Sequence, residues 1–376
     1  MIVDVEAPDD KTVVVTLNKP YSPIAHTFHT VKIMSQKVAE EQGEAFGTKE
    51  SLAGTGPFMI DSYDSSVKLT LKAFPEYWKG EAAIKTVNYI PILDDASALI
   101  ALENGEIDWM SVPLADWESV KSNDKFNTEI IPGNWTQYLG INYQREVLSN
   151  DLVRQAIAYA LDKEAMNLAT FEGYGKPTDY YMPVEYVTAT PTEFTKYPYD
   201  PEKSKKLLAD AGYPDGVDVG EILAYGAAGE KTAQVMQSNL ANVGIKASVS
   251  ILEIGIALDR MYIQDFDLCL ANDMGNFDFN NYRQQVDSRS KGIYMVKYEG
   301  DKFDYKHFDE LFDKGTVLTD TNERKAVYTE LYDDVMKTAT LLPLLHSPVA
   351  NAWVKGLNVI NVPTNYHIYD WSFDNK

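Results

Sequence analysis

Between residues 219 and 251 the hydropathy pattern changes period twice, from alternation over 219–225 to helical spacing over about 228–243 and back to alternation in Gly244-Ile-Lys-Ala-Ser-Val-Ser-Ile251. A strand, a helix and a second strand in immediate succession must bury two strand faces and one helix stripe together, which commits this stretch to a layered α/β lobe. A similar step occurs earlier, with a strand over 86–91, a helix over 94–104 that opens on Asp94-Asp95 and stops at Gly105, and the strand-like Ile107-Asp-Trp-Met. Ahead of it, residues 2–18 and 58–72 read as β-runs separated by Pro- and Gly-rich turns, with a short helix over 31–44. The chain has 376 residues, enough for two or three folding units.

Later segments continue the α/β logic. Ser149-Asn-Asp151 opens a helix carrying Val153, Ile157, Ala160 and Leu161, and Asp200-Pro-Glu-Lys-Ser opens another that ends at Gly212-Tyr-Pro-Asp-Gly216. Strands are expected at 128–131, 135–142 and 267–271, helices at 255–263, 306–317 and 322–339, and strand-like runs at 341–354, 357–360 and 366–371. Residues 171–198 form an irregular stretch longer than an ordinary connection, and such stretches are often functional.

Charge and composition exclude several functions. With 56 acidic against 34 basic residues the formal charge is −22, which repels nucleic acid and anionic lipid. No apolar run approaches the roughly 18 residues of a membrane-spanning helix. Cys269 is the single cysteine, so no intramolecular disulfide forms. Gly54-Thr-Gly56-Pro57 lacks the Lys-Ser/Thr of a phosphate loop and reads as a turn, and His26 and His29 have no acidic or thiol partner to make a metal set. No Gly-x-Ser-x-Gly elbow is present, so hydrolysis has no visible nucleophile.

Aromatic residues carry the site expectation. Tyr174, Tyr180, Tyr181 and Tyr186 crowd one irregular stretch, and Trp135 and Tyr138 lie upstream. Rings with polar tips suit a cleft that stacks on a small ligand and hydrogen-bonds it.

Several runs in order resemble the peptide/nickel class (family 5) of solute-binding proteins of ABC importers: Gly54-Thr-Gly-Pro-Phe58, Phe74-Pro-Glu-Tyr-Trp-Lys-Gly80, and Ala96 through Gly105-Glu-Ile-Asp108. They continue with Asn150-Asp-Leu-Val-Arg-Gln-Ala-Ile-Ala-Tyr-Ala-Leu-Asp162, Tyr199-Asp-Pro-Glu-Lys-Ser-Lys-Lys-Leu-Leu208, Ala211-Gly-Tyr-Pro-Asp-Gly216 and Leu342-Pro-Leu-Leu345. The resemblance implies a two-lobed, type II periplasmic-binding-protein-like α/β fold with an additional β-rich subdomain. The expected division is 1–83 for that subdomain, 84–142 with 344–376 for lobe I, and 143–343 for lobe II, with crossings near Asn142 and Leu344. Family members open with a signal peptide, a lipid-anchored cysteine and a first-lobe strand; none precedes Met1, so an incomplete first lobe is expected.

By the same resemblance the chain is not an enzyme but an extracytoplasmic receptor, lipid-anchored in its full-length form. It captures a peptide or similar solute between its lobes, as a monomer and without cofactor or metal, and delivers it to a membrane-embedded ABC permease. A sensor on the same fold is the alternative, with a hydrolase behind it. Expected ligand-binding residues are Trp135, Tyr138, Asn142, Tyr174, Tyr180, Tyr181, Asp273, Asn276 and Asp278. Peptide receptors of the family grip the α-amine with an Asp in a Trp-x-x-Asp-Tyr/Asn-x-Asp-Pro loop. Here the stretch is Asn272-Asp-Met-Gly-Asn-Phe-Asp-Phe279, with Gly275 at the gripping position, so Asp273 or Asp278 is expected to substitute.

Overall fold

The computed structural model describes residues 1–46, 53–183, 187–275, 277–290, 305–361 and 367–374. It divides into two compact units, Met1–Thr27 with Asn134–Ser347 and Phe28–Gly133 with Pro348–Lys376.

The first unit is built on a mixed sheet. Ile245–Leu252 runs parallel to Val217–Tyr225, which is parallel to Leu268–Met274, and the latter is antiparallel to the Asn134-onward part of the strand Phe126–Ile141. Leu341–Val354 follows in the sheet order, and the short strand Lys176–Pro177 pairs with it. The helix Gly226–Asn242 buries Ala233, Met236 and Leu240. Its return connection needs a close approach at Gly216, where φ is +99° and a Cβ would stand 2.4 Å from the Gly244 carbonyl oxygen. Only glycine meets both conditions.

Helix starts follow local capping chemistry. The Asn150 side chain accepts from Leu152 N at 2.9 Å and opens Asp151–Ala160, whose Val153, Ala156, Ile157 and Ala160 are buried at helical spacing. Asp200 accepts from Lys203 N at 2.9 Å ahead of Pro201–Asp210, with proline in the first turn. A helix that the periodicity did not announce, Lys163–Phe171, begins almost at once after Asp151–Ala160 because Asp162 accepts from Ala165 N at 2.9 Å.

The second unit contains an antiparallel meander, Phe58–Asp64, Lys68–Ala73 and Thr86–Tyr89. The helix Asp95–Glu103 is capped by Asp94 and followed by Gly105 at φ +72°. Trp109–Ser111 pairs with Asn351–Trp353, and Trp353, Leu357 and Trp371 form a small core.

Two expectations need correction. The helix expected over 31–44 is two short helices, Ile24–Thr30 and Gln36–Gln42, because Ser35 starts a new one by capping Val38 N at 3.4 Å. The expected strands at 128–131 and 135–142 are one strand, Phe126–Ile141, that Pro132 and Gly133 do not end. Along the chain the units change at Thr27/Phe28, Gly133/Asn134 and Ser347/Pro348, the last two within long strands. Residues 1–27 group with the first unit, held there by Ser22 N donating to Thr316 O at 2.8 Å and by the ring of His26 stacked 6.2 Å from Phe277.

Candidate functional site

The end of the strand Leu268–Met274 sets the geometry. Its register places Met274 opposite Trp135, Asp273 opposite Thr136, Asn272 opposite Gln137 and Ala271 opposite Tyr138. Directly opposed residues share a face and successive ones alternate, so Trp135 and Met274 stand together on one side and Asp273 on the other. Trp135 is 45% exposed and Met274 47%, an apolar pair left open to solvent.

Asp273 is half-buried and held by three donors. Tyr181 OH donates to Oδ2, Gln285 Nε2 donates to the same oxygen at 2.7 Å, and Met274 N donates to Oδ1 at 2.7 Å. No cationic side chain pairs with it among the described residues. Burial pushes the Tyr181 phenol well above its ordinary value, with the charges of Tyr138 and Asp273 adding to the effect, so it stays a donor.

The other expected site residues have different fates. Asp278 is not available to a ligand: it is 3% exposed, takes both Arg324 guanidinium nitrogens at 2.8 and 2.7 Å, and caps Asn280 N at 2.9 Å. Tyr138 and Tyr181 are core, at 0% and 1% exposure with rings 5.5 Å apart, so neither offers a face for stacking. Asn142 is also buried, and its amide donates to Gln264 O at 3.1 Å and Phe266 O at 2.8 Å, tying down the turn before Leu268–Met274. Tyr174 sits half-buried in the turn after Lys163–Phe171, its N–H on Phe171 O. Tyr180 packs edge-on to Phe194 at 5.1 Å and lines a separate cavity of about 360 Å³ with Lys163, Asp179, Tyr197 and His346. Asn276 and Tyr186 lie outside the described residues. At Gly275 a Cβ would meet Pro183 Cδ at 3.0 Å and Asn134 O at 3.3 Å, so an aspartate there needs its neighbours to move.

Sequence reasoning missed Gln285, since a glutamine in a polar stretch carries no periodic or motif signal. Its position is fixed by an ion-pair network on both sides. Arg283 Nη1 donates to Asp287 Oδ2 at 2.7 Å, Arg289 reaches the same carboxylate, and both arginines reach Asp313. Burial alone would raise the Asp287 carboxyl, but hydrogen bonds from Arg289 and the charge of Arg283 outweigh it and hold it below the ordinary range. A carboxylate depressed in the folded state contributes stability above its unfolded value of about 3.9, and that contribution is lost as pH falls through the folded value. Acid titration of the melting midpoint is therefore expected to steepen below about pH 4, and Asp287→Asn to lower the neutral-pH midpoint while flattening that limb. An unchanged acid limb in the variant would remove Asp287 from the account.

Residues 1–292 match the family model of bacterial extracellular solute-binding proteins, family 5, middle. The chain is 30% identical over 366 residues to the dipeptide-binding protein of Escherichia coli K12, covering 93% of this chain and 67% of that protein. It is 29% identical over 262 residues to a glutathione-binding protein of Pectobacterium atrosepticum, covering 68% of this chain and 50% of that one. In structure it resembles HbpA2 of Haemophilus parasuis, with a TM-score of 0.84, 26% identity and coverage of 100% of this chain and 76% of the other. The mixed α/β architecture is that of the type II periplasmic binding proteins. The chain thus spans about half to two thirds of the length of these curated relatives, and within that span it belongs to family 5 of the bacterial extracellular solute-binding proteins.

Proposed function

We propose that this chain captures a peptide or similar small solute and delivers it to a membrane-embedded ABC permease. Family 5 proteins serve ABC importers as extracytoplasmic solute receptors and are not an enzyme family. Among the described residues no helix is long and apolar enough to cross a membrane. Lipid anchoring, which the family resemblance implies, is part of the proposal. One observation carries the reading at the level of residues: Asp273 is a half-buried carboxylate, oriented by Tyr181 and Gln285, and among the described residues no cationic side chain pairs with it. Buried charges in proteins are ordinarily paired, so one left open at the end of a strand suits a ligand that brings the counter-charge. Trp135 and Met274 offer apolar contact on the opposite face of the same strand ends.

Thermal unfolding with pools of two- to six-residue peptides, with sugars and with nickel as separate arms tests this. A ligand at a hundred times its dissociation constant adds about 2.7 kcal/mol of stability, enough to move the midpoint by several degrees. A shift with peptides supports the reading; no shift in any arm overturns it. Trp135→Ala is expected to leave the midpoint of the free protein nearly unchanged, because the ring is largely exposed, and to weaken the effective ligand by about tenfold. Undiminished affinity would remove Trp135 from the site.

A further inference from the structure

The cavity of about 360 Å³ in the first unit has a lining of its own, to which Trp135, Asp273 and Met274 do not contribute. Its volume falls within the range of about 300–1,000 Å³ that small-molecule sites occupy. Lys163, the first residue of the helix Lys163–Phe171, lines it with a side chain only 16% exposed. The ammonium donates to Thr178 O and to Asp179 Oδ1, each at 2.7 Å. An ammonium carries three N–H donors, so one is left over. Burial holds this ammonium below the ordinary lysine value, the charge and hydrogen bond of Asp179 offset part of that, and the charge of Lys196 adds to it. Lys196 itself stands over the rings of Phe194 and Tyr180, 5.1 and 6.0 Å from their centres, and among the described residues no carboxylate pairs with it. One carboxylate thus serves two ammonium groups. Of the other charged side chains in the lining, Asp162 caps Ala165 N at 2.9 Å, and the exposed Glu164 and Lys176 are of opposite sign. Much of the remaining wall is apolar: Pro177, Pro198 and the rings of Tyr180 and Tyr197, the last with its hydroxyl committed to Met336 O at 2.8 Å.

We propose that this cavity is a second binding site, for a small carboxylate with an apolar or aromatic body. The anion takes the third N–H of Lys163 in a charge-assisted hydrogen bond, and the body packs against the tyrosine rings and the two prolines. A cationic ligand would be repelled by the Lys163 ammonium, and a neutral one would forgo the charge. Because the lining excludes Trp135 and Asp273, the proposal does not depend on the solute-capture reading.

Titration calorimetry on the full chain tests it, with benzoate and its uncharged counterpart benzamide as probes. Benzoate is expected to bind, and benzamide at least about tenfold more weakly, for want of the charge. Lys163→Met keeps the apolar stem and removes the ammonium, and is expected to weaken benzoate by a similar factor. Tyr180→Ala leaves the Lys163–Asp179 pair in place and removes part of the wall; it is expected to weaken benzoate several-fold, and it serves should Lys163→Met, which strands Asp179, fail to fold. No binding of benzoate, or equal binding of both probes, overturns the carboxylate site. Weaker benzoate binding by Trp135→Ala would place the probe at the strand ends and overturn it as well.

Discussion

Asp278→Ala is expected to destabilise the first unit by about 3–5 kcal/mol, because it strands the Arg324 guanidinium in the interior. Both partners are nearly inaccessible, at 3% and 5% exposure, and they meet through two parallel bonds of 2.8 and 2.7 Å. Thr188 Oγ1 donates to the same carboxylate at 2.9 Å, and Arg324 Nε donates to Gly315 O at 3.0 Å, so the pair joins four separate segments of chain. The Asp278 hydrogen bonds hold the Arg324 guanidinium above its ordinary value although burial alone would lower it, and the guanidinium cannot escape the cost by losing its proton. Urea unfolding measures the loss, and the double variant Asp278→Leu with Arg324→Met is expected to recover much of it, since replacing a whole buried pair by apolar groups is often neutral. A loss under about 1 kcal/mol for the single variant would show that the pair is solvated in the native protein and would return Asp278 to the candidate ligand-binding residues.

Tyr332→Ala is expected to cost about 3–5 kcal/mol, the range for removing a fully buried large ring. Tyr332 has no exposed surface, and its ring packs edge-on against Phe194 at 4.8 Å, Tyr282 at 5.3 Å and Phe279 at 5.6 Å. Its hydroxyl donates to Asp179 O at 2.7 Å and accepts from Tyr181 N at 3.0 Å, so it fixes the backbone from which Tyr181 reaches Asp273. Tyr332→Phe keeps the ring and strands those two backbone groups, for an expected loss of about 1–3 kcal/mol. Both variants are read by urea unfolding, and the phenylalanine variant is expected to weaken the binding of any solute that depends on Asp273. A phenylalanine variant as stable as the parent would mean that water replaces the hydroxyl.

The tyrosines show where the sequence is informative and where it is not. A tyrosine in irregular backbone has the same composition whether it faces a ligand or the core, and only the packing distinguishes Tyr138 and Tyr181, which are inside, from Tyr180, which lines a cavity. Asp273 and Asp278 pose the same problem. Five residues apart along the chain, they have equal claim to a positive partner by sequence, yet Arg324, 46 positions beyond Asp278, neutralises that one and leaves Asp273 without a cation among the described residues. The position of Gln285 depends on Asp287, Arg289 and Asp313 together, a network that no local pattern announces.

By itself the sequence determined the α/β class, the family, and most helix starts. Those are decided within a few residues, by hydropathy period and by caps such as Asn150, Asp200 and Asp94, which act on their own neighbours in the chain. The tertiary structure alone decided which polar and aromatic side chains remain for a ligand, because availability is what is left after every long-range partner has been assigned, and those partners are brought near only by folding.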